Sequence, residues 1–183
     1  MGTARQPEPA KLLVGLLARE RVLLDEAAER LARAFGPVEE RSTPVPFNHT
    51  DYYAAELGMQ PWRQFLTFSN LIDPGDLAAI KLQTNALEAV WAVDGRRAVN
   101  IDPGYISLSK LVLATTKNHW HRIYIGQGIY AEVTLPFRHG AFQPQEWTYP
   151  DYRTPESLAF FSAVREHYRQ QLRQLPASTA PPG

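Results

Sequence analysis

Residues 11–35, KLLVGLLARERVLLDEAAERLARAF, change their period in the middle. The run KLLVGLLA is apolar and continuous, with a strand's length and no helical gaps, and reads as a fully buried strand. After it, Leu24, Ala27, Ala28, Leu31, Ala34 and Phe35 recur at helical spacing and give a helix one apolar face. Gly36-Pro37 stops that helix.

The rest of the chain extends this strand–helix unit. Residues 38–57 are extended and interrupted by Pro44 and Pro46, which suits an edge strand or a bulge. WRQFLTFSNLI at 62–72 is aromatic and strand-like. DPGDLAAIKLQTNALEAVWAV opens a second helix, with Asp73 as N-cap, Pro74 at its first position and Asp76 complementing the positive end. Leu77, Ile80, Leu87 and Trp91 form its inner stripe, with Thr84 in the same line. Gly95 turns the chain into another strand, RRAVNI. Strand, helix, strand, strand, helix, strand is the split βαβ order of a ferredoxin-like sheet. HRIYIGQGIYAEVTL adds a hairpin, and a Pro-rich extended piece covers 136–155. Thr154-Pro155 starts a last helix whose inner face is Phe161, Val164, Tyr168 and Leu172. The expected fold is α+β: a ferredoxin-like βαββαβ, mainly antiparallel sheet with an added β-hairpin and a C-terminal helix. It forms a single domain over residues 10–173, with disordered tails at 1–9 and 174–183.

Nineteen basic and nineteen acidic residues among 183 leave no net charge. Such a chain has no global field for nucleic acid or anionic membrane, so any anion site must be local. With no cysteine, disulfides, thiolate metal sites and cysteine nucleophiles are excluded. The longest apolar run is far too short to span a bilayer, and a cytoplasmic location is expected.

GQGIYA at 126–131 fits the dinucleotide pattern GxGxxG/A, but a strand follows where that chemistry needs a helix. A Gly-Gln-Gly hairpin loop gives the cleaner register. It sets His121, Ile123 and Ile125 with Ile129, Ala131 and Val133. On the other face lie Arg122, Tyr124, Tyr130, Glu132 and Thr134, with Arg122 opposite Glu132. That pair is either a solvated cross-strand ion pair or the polar wall of a site.

NIDPGYISLSKLVLATTK at 100–117 is the densest polar stretch. Between 96 and 122, Arg96, Arg97, Lys110, Lys117 and Arg122 stand against Asp102. Thr115 and Thr116 add hydroxyl donors beside Lys117, which suits phosphate or carboxylate. Asp102-Pro103-Gly104 fits a turn, and equally an acid–base or metal-binding carboxylate at a strand end. Lys81, Thr84, Asn85 and Glu88 share one helical stripe, facing either solvent or a cavity. HTDYYAAE at 49–56 offers Asp51, Tyr52, Tyr53 and Glu56. WTYPDYR at 147–153 reads as cover for a sheet edge or a core face. His119 and His121 share one side of a strand, but no third ligand is fixed, and no metal site is assigned. There is no P-loop, GxSxG elbow or HExxH helix.

LIDPGDLAAIKLQTNALE, NIDPGYISLSKLVLATTK, HRIYIGQGIYAEVTL and WTYPDYRT, together with the early PFNHTDYY, resemble the signature blocks of a bacterial family of unknown function, DUF4416. The resemblance implies no activity, cofactor or catalytic residue. Some similar proteins carry a GTP-binding label.

The residues point to an enzyme or binding protein for a small anionic ligand, with phosphorylated molecules among the candidates. Lys110, Thr115, Thr116, Lys117 and Arg122 would hold the anion. Asp102 or Glu132 would be the catalytic carboxylate, and Tyr105, Tyr124 and Tyr130 would wall the pocket. An RNA-binding protein with an open tyrosine-bearing sheet face and an interaction module without ligand are the alternatives. Convergence of the named residues in one concave site would favour the first.

Overall fold

The computed structural model of the chain describes residues 2–48, 54–58 and 60–175. Most of the expected C-terminal tail, together with His49, Asp51, Tyr52 and Tyr53, lies outside these residues.

The strand β1 (Ala10–Ala18) is buried along its whole length. Its alternate residues serve two cores. Leu12, Val14 and Leu16 pack with Leu24, Ala27, Ala28 and Leu31 of α1 (Arg21–Phe35). Leu13 faces the opposite side, with Phe161 and Val164 of α4 (Pro155–Gln174). A strand covered on both faces should read as a continuous apolar run, and this one does. In α1, Ala34 departs from the expected stripe and is exposed.

Between these elements the chain forms β2 (Val38–Arg41), β3 (Val45–Pro46), a single turn α2 (Ala54–Leu57), β4 (Trp62–Ile72) and α3 (Leu77–Glu88). It continues through the short pair β5 (Ala92–Val93) and β6 (Arg96–Arg97), then β7 (Val99–Ile106), β8 (Lys110–Thr115), β9 (Ile123–Gly126), β10 (Ile129–Arg138) and β11 (Ala141–Phe142). Nine strands form one open sheet in the order β11-β10-β8-β7-β1-β4-β2, with β3 on β4 and β9 on β10. The β1 pairings with β4 and β7, and those of β2 with β4 and β8 with β10, are antiparallel. The architecture is therefore mixed helix and strand on a mainly antiparallel sheet. Asp73 accepts from the Gly75 amide ahead of α3, and Thr154 accepts from the Ser157 amide at the start of α4.

The hairpin keeps the expected register where it matters. Tyr124 pairs with Tyr130 and Ile123 with Ala131. The corner is tighter than expected: Gly126 pairs with Ile129, Gln127 and Gly128 turn at positive φ (53° and 77°), and a bulge restores the register. The face expected to be apolar is covered only at its inner end: Ile129 is buried against Leu77 and Val112, whereas Ile123 is 73% exposed. His121 lies in the turn before β9, where strand alternation does not govern it, and it joins Glu132 instead of the isoleucines.

The Asp102-Pro103-Gly104 segment is not a turn. β7 runs straight through it, with Gly15 opposite Asp102 and Val14 opposite Pro103. Gly104 is needed because β7 and β8 meet there: a Cβ would overlap the Val112 carbonyl and the Leu113 side chain. β7 pairs with β8 only through Gly104, Tyr105 and Ile106. Pro103, next along the strand, has no N–H to offer a neighbour. Below that point the sheet splits.

Candidate functional site

The split is held open from behind by α3. Two residues before Pro103, the Ile101 amide donates to Glu88 Oε1 at 2.7 Å, and Lys81 Nζ donates to the Ile101 carbonyl at 2.9 Å. Two side chains of a helix thus take the place of a strand partner. Lys81, Thr84 and Glu88 are all buried, so the polar stripe of α3 faces a cavity rather than solvent. Its side chains reach the gap because Leu77 and Ala78 pack α3 against Val112 and Ala114 of β8, while Ile80 joins the β1 core.

The gap is a cleft of about 670 Å³. On the β7 wall, Arg97 donates to Glu88 and Glu56, each at 2.7 Å, and to Asn100 at 3.0 Å. Asn100 donates in turn to Asp102 at 2.7 Å, and Lys81 stands 3.5 Å from the same carboxylate. Burial works against the charge of Arg97, but its bonds to Glu56 and Glu88 outweigh that and hold the guanidinium above its usual value. Burial raises Glu88, against the opposing pull of Lys81, the Ile101 amide and Arg97.

On the β10 wall, Arg122 Nε donates to Glu132 at 2.8 Å, and the two side chains are 6% and 1% exposed. The solvated cross-strand pair is therefore excluded. Arg122 also donates to the Lys117 carbonyl and to the Tyr149 hydroxyl, each at 2.9 Å, tying together three segments. Glu132 receives Thr134 Oγ1 at 3.2 Å, and His121 Nε2 lies 3.2 Å from its other oxygen. The His121 ring stacks on Trp147 at 5.1 Å. At the floor, Arg63 and Asp151 form a buried ion pair at 2.7 Å, and the Arg63 guanidinium lies over the rings of Phe47, Phe65 and Tyr152. Burial pushes the Tyr149 phenol up. The facing carboxylates of Glu132 and Asp102 add to the rise, and Arg122 opposes it.

Six of the residues expected from sequence line this cleft: Asp102, Thr115, Thr116, Lys117, Arg122 and Glu132. Four do not. Lys110 pairs with Pro136 at the far end of β8. Tyr105 points to the opposite sheet face, packed with Leu77 and Val112. Tyr124 and Tyr130 meet each other on the hairpin at 5.4 Å. The aromatic walls are instead Tyr149 and Tyr152, from the segment expected to be mere cover. Arg63, Asp151 and Tyr152 carry no local signal; Lys81 and Glu88 announce themselves only as a polar stripe beside an apolar one.

Two other features are separate from the cleft. A depression of about 640 Å³ beside the end of α1 gathers no comparable cluster of charges. Glu39, Glu40 and His167 bring ligand atoms within 4.8 Å of one another at the β2 edge, where Lys11 already pairs with Glu39 at 2.6 Å. Among the described residues no helix is long and apolar enough to cross a membrane.

Fold and cleft together define an α+β protein with one open, mainly antiparallel sheet, whose split encloses opposed ion-pair networks. The chain belongs to the family described as a domain of unknown function, DUF4416, whose model matches residues 8–168. No curated protein and no solved structure matches the chain.

Proposed function

We propose that the cleft binds a small polar molecule carrying an anionic group, and that Asp102 is the group that acts on it. The observation that carries this reading is the concentration of ion pairs around an opening, fully buried at Arg122–Glu132 and Arg63–Asp151 and half-buried at Arg97–Glu88 and Lys81–Asp102. Charges withdrawn from water contribute little net stability against apolar packing, so their clustering around a cleft points to recognition or chemistry. Thr115, Thr116 and Lys117 form the rim where β8 ends, and Arg122 lies behind them. They are the natural holders of carboxylate or phosphate oxygens.

The two candidate carboxylates differ in access. The Glu132 side chain is 1% exposed and engaged by Arg122, while Asp102 is 27% exposed with Asn100 and Lys81 steadying it. Glu132 is thus suited to positioning Arg122. Asp102 is the carboxylate able to take a proton from an occupant, accept a hydrogen bond from its hydroxyl or bind its cationic group. Convergence in a concave site favours this reading over a flat RNA-stacking face. The order β7-β1-β4-β2, with α1 and α3 on one face, supports reading the core as ferredoxin-like. Cytoplasmic residence is part of the proposal and rests on the cysteine-free chain.

The test is native mass spectrometry of protein purified gently from its own host, alongside Lys117→Ala and Asp102→Asn. A reproducible extra mass, released on denaturation and depleted in Lys117→Ala at unchanged melting temperature, is the expected result. An extra mass retained at full occupancy in both variants would place the ligand elsewhere and defeat the proposal.

A further inference from the structure

Two phenols line one side of the cleft, Tyr152 fully buried and Tyr149 40% exposed at its mouth. Tyr152 is 1% exposed, and its hydroxyl is buried with no hydrogen-bond partner among the described residues. It reaches over β1 at Gly15, where a Cβ would stand only 2.5 Å from it. Gly15 is paired across the sheet with Asp102, so the hydroxyl rises beside the accessible carboxylate. Tyr149 is the neighbouring phenol, its ring 6.2 Å from that of Tyr152 and tilted by 50°. Its oxygen accepts from Arg122, which leaves its own hydrogen to be donated.

Burial raises both phenols, and the nearby carboxylates add to it, so both keep their protons through the neutral range. A buried hydroxyl without a partner is costly, and native structures rarely keep one without a use. A protonated phenol offers an anionic oxygen a hydrogen bond without adding a cation to a site where Arg63, Lys81, Arg97 and Arg122 each already stand beside a carboxylate. Arg122 behind Tyr149 strengthens that donor, because accepting from a guanidinium polarises the O–H.

We infer that Tyr149 and Tyr152 form a paired hydrogen-bond donor, running from the exposed Tyr149 inward to the buried Tyr152, that holds an anionic oxygen group of the occupant, a carboxylate or a phosphate. The inference rests on the cleft being the ligand site and adds which groups select the ligand. Lys117 and the threonines draw the anion to the mouth, and the two phenols receive it.

The experiment uses the full chain labelled with 13C at tyrosine Cζ, titrated with malonate and, separately, with inorganic phosphate at constant ionic strength. Two Cζ resonances are expected to move saturably and to be assigned by their loss in Tyr149→Phe and Tyr152→Phe. Each variant should weaken binding by about tenfold. Tyr152→Phe should keep or raise the melting temperature, because it removes a hydroxyl that has no partner in the free protein. Saturation by malonate alone would identify the group as a carboxylate, and by phosphate alone as a phosphate. Binding that falls in Lys117→Ala but is unchanged in both phenylalanine variants would overturn the tyrosine pair while leaving the cleft as an anion site. No saturable shift with either anion would overturn both.

Discussion

The Glu88 carboxylate accepts the Ile101 amide at 2.7 Å, closing on β7 a position where a neighbouring strand would otherwise pair. The same carboxylate holds Arg97 at 2.7 Å through its second oxygen. One acid therefore joins helix α3, strand β7 and the first charged residue of the cleft wall.

Burial raises Glu88 above its usual range. A carboxyl raised in the folded state binds its proton more tightly there than in the unfolded chain. Its stabilising contribution is therefore full below the unfolded value and is lost as pH rises through the folded one. Glu88→Gln keeps an acceptor for the Ile101 amide and removes the titration. Urea unfolding from pH 4 to pH 7 should show the native chain losing stability relative to Glu88→Gln as pH rises. Parallel curves would mean that Glu88 titrates alike in both states.

Lys81 is 6% exposed and donates to the Ile101 carbonyl. Lys81→Met preserves most of the stem volume but leaves that acceptor unmet and removes the cation beside Asp102. A loss of about 1–3 kcal/mol is expected from chemical denaturation. No loss at all would mean that the carbonyl is satisfied some other way.

Arg122→Ala should be more damaging, because it strands Glu132 as a buried charge beside His121. The expected cost is about 3–5 kcal/mol. The double replacement Arg122→Ala with Glu132→Leu should recover much of it, as removing both charges lifts the desolvation penalty. Additive losses in this double-mutant cycle would deny the coupling.

Gly104→Ala places a methyl group against the Val112 carbonyl where the strands converge. Relief requires β7 and β8 to separate at the apex of the cleft. The chain should lose about 1–3 kcal/mol or more, and the Gly104 and Val112 amides should exchange faster with solvent. Unchanged exchange at both would show that the strands are free to move apart there.

Local chemistry was legible at several points. The change of period at residues 19–21, the Asp73 and Thr154 caps and the Tyr124–Tyr130 register all depend on neighbours within a few positions, and the structure keeps each of them. The site was legible only in part. Thr115, Thr116, Lys117 and Arg122 lie close in sequence and converge with Asp102 and Glu132. Arg63 and Asp151 are far apart in the chain, and nothing beside either residue announces the pairing. Tyr105 was misplaced because strand alternation sends it to the face opposite Asp102. Asp102-Pro103-Gly104 resembles a turn because proline and glycine also serve where two strands first touch. Local composition does not separate those two uses.

The split between β7 and β8 behaves like a zip fastener stopped partway by a wedge. The teeth are closed at Gly104, Tyr105 and Ile106, and the wedge is the reach of Lys81 and Glu88 from α3. The width of the mouth is therefore set from the rear, by the lengths of two side chains and the standoff of one helix. Related chains could retune the size of molecule they admit by trading a lysine or a glutamate on that helix, while the donors that greet the molecule stay as they are.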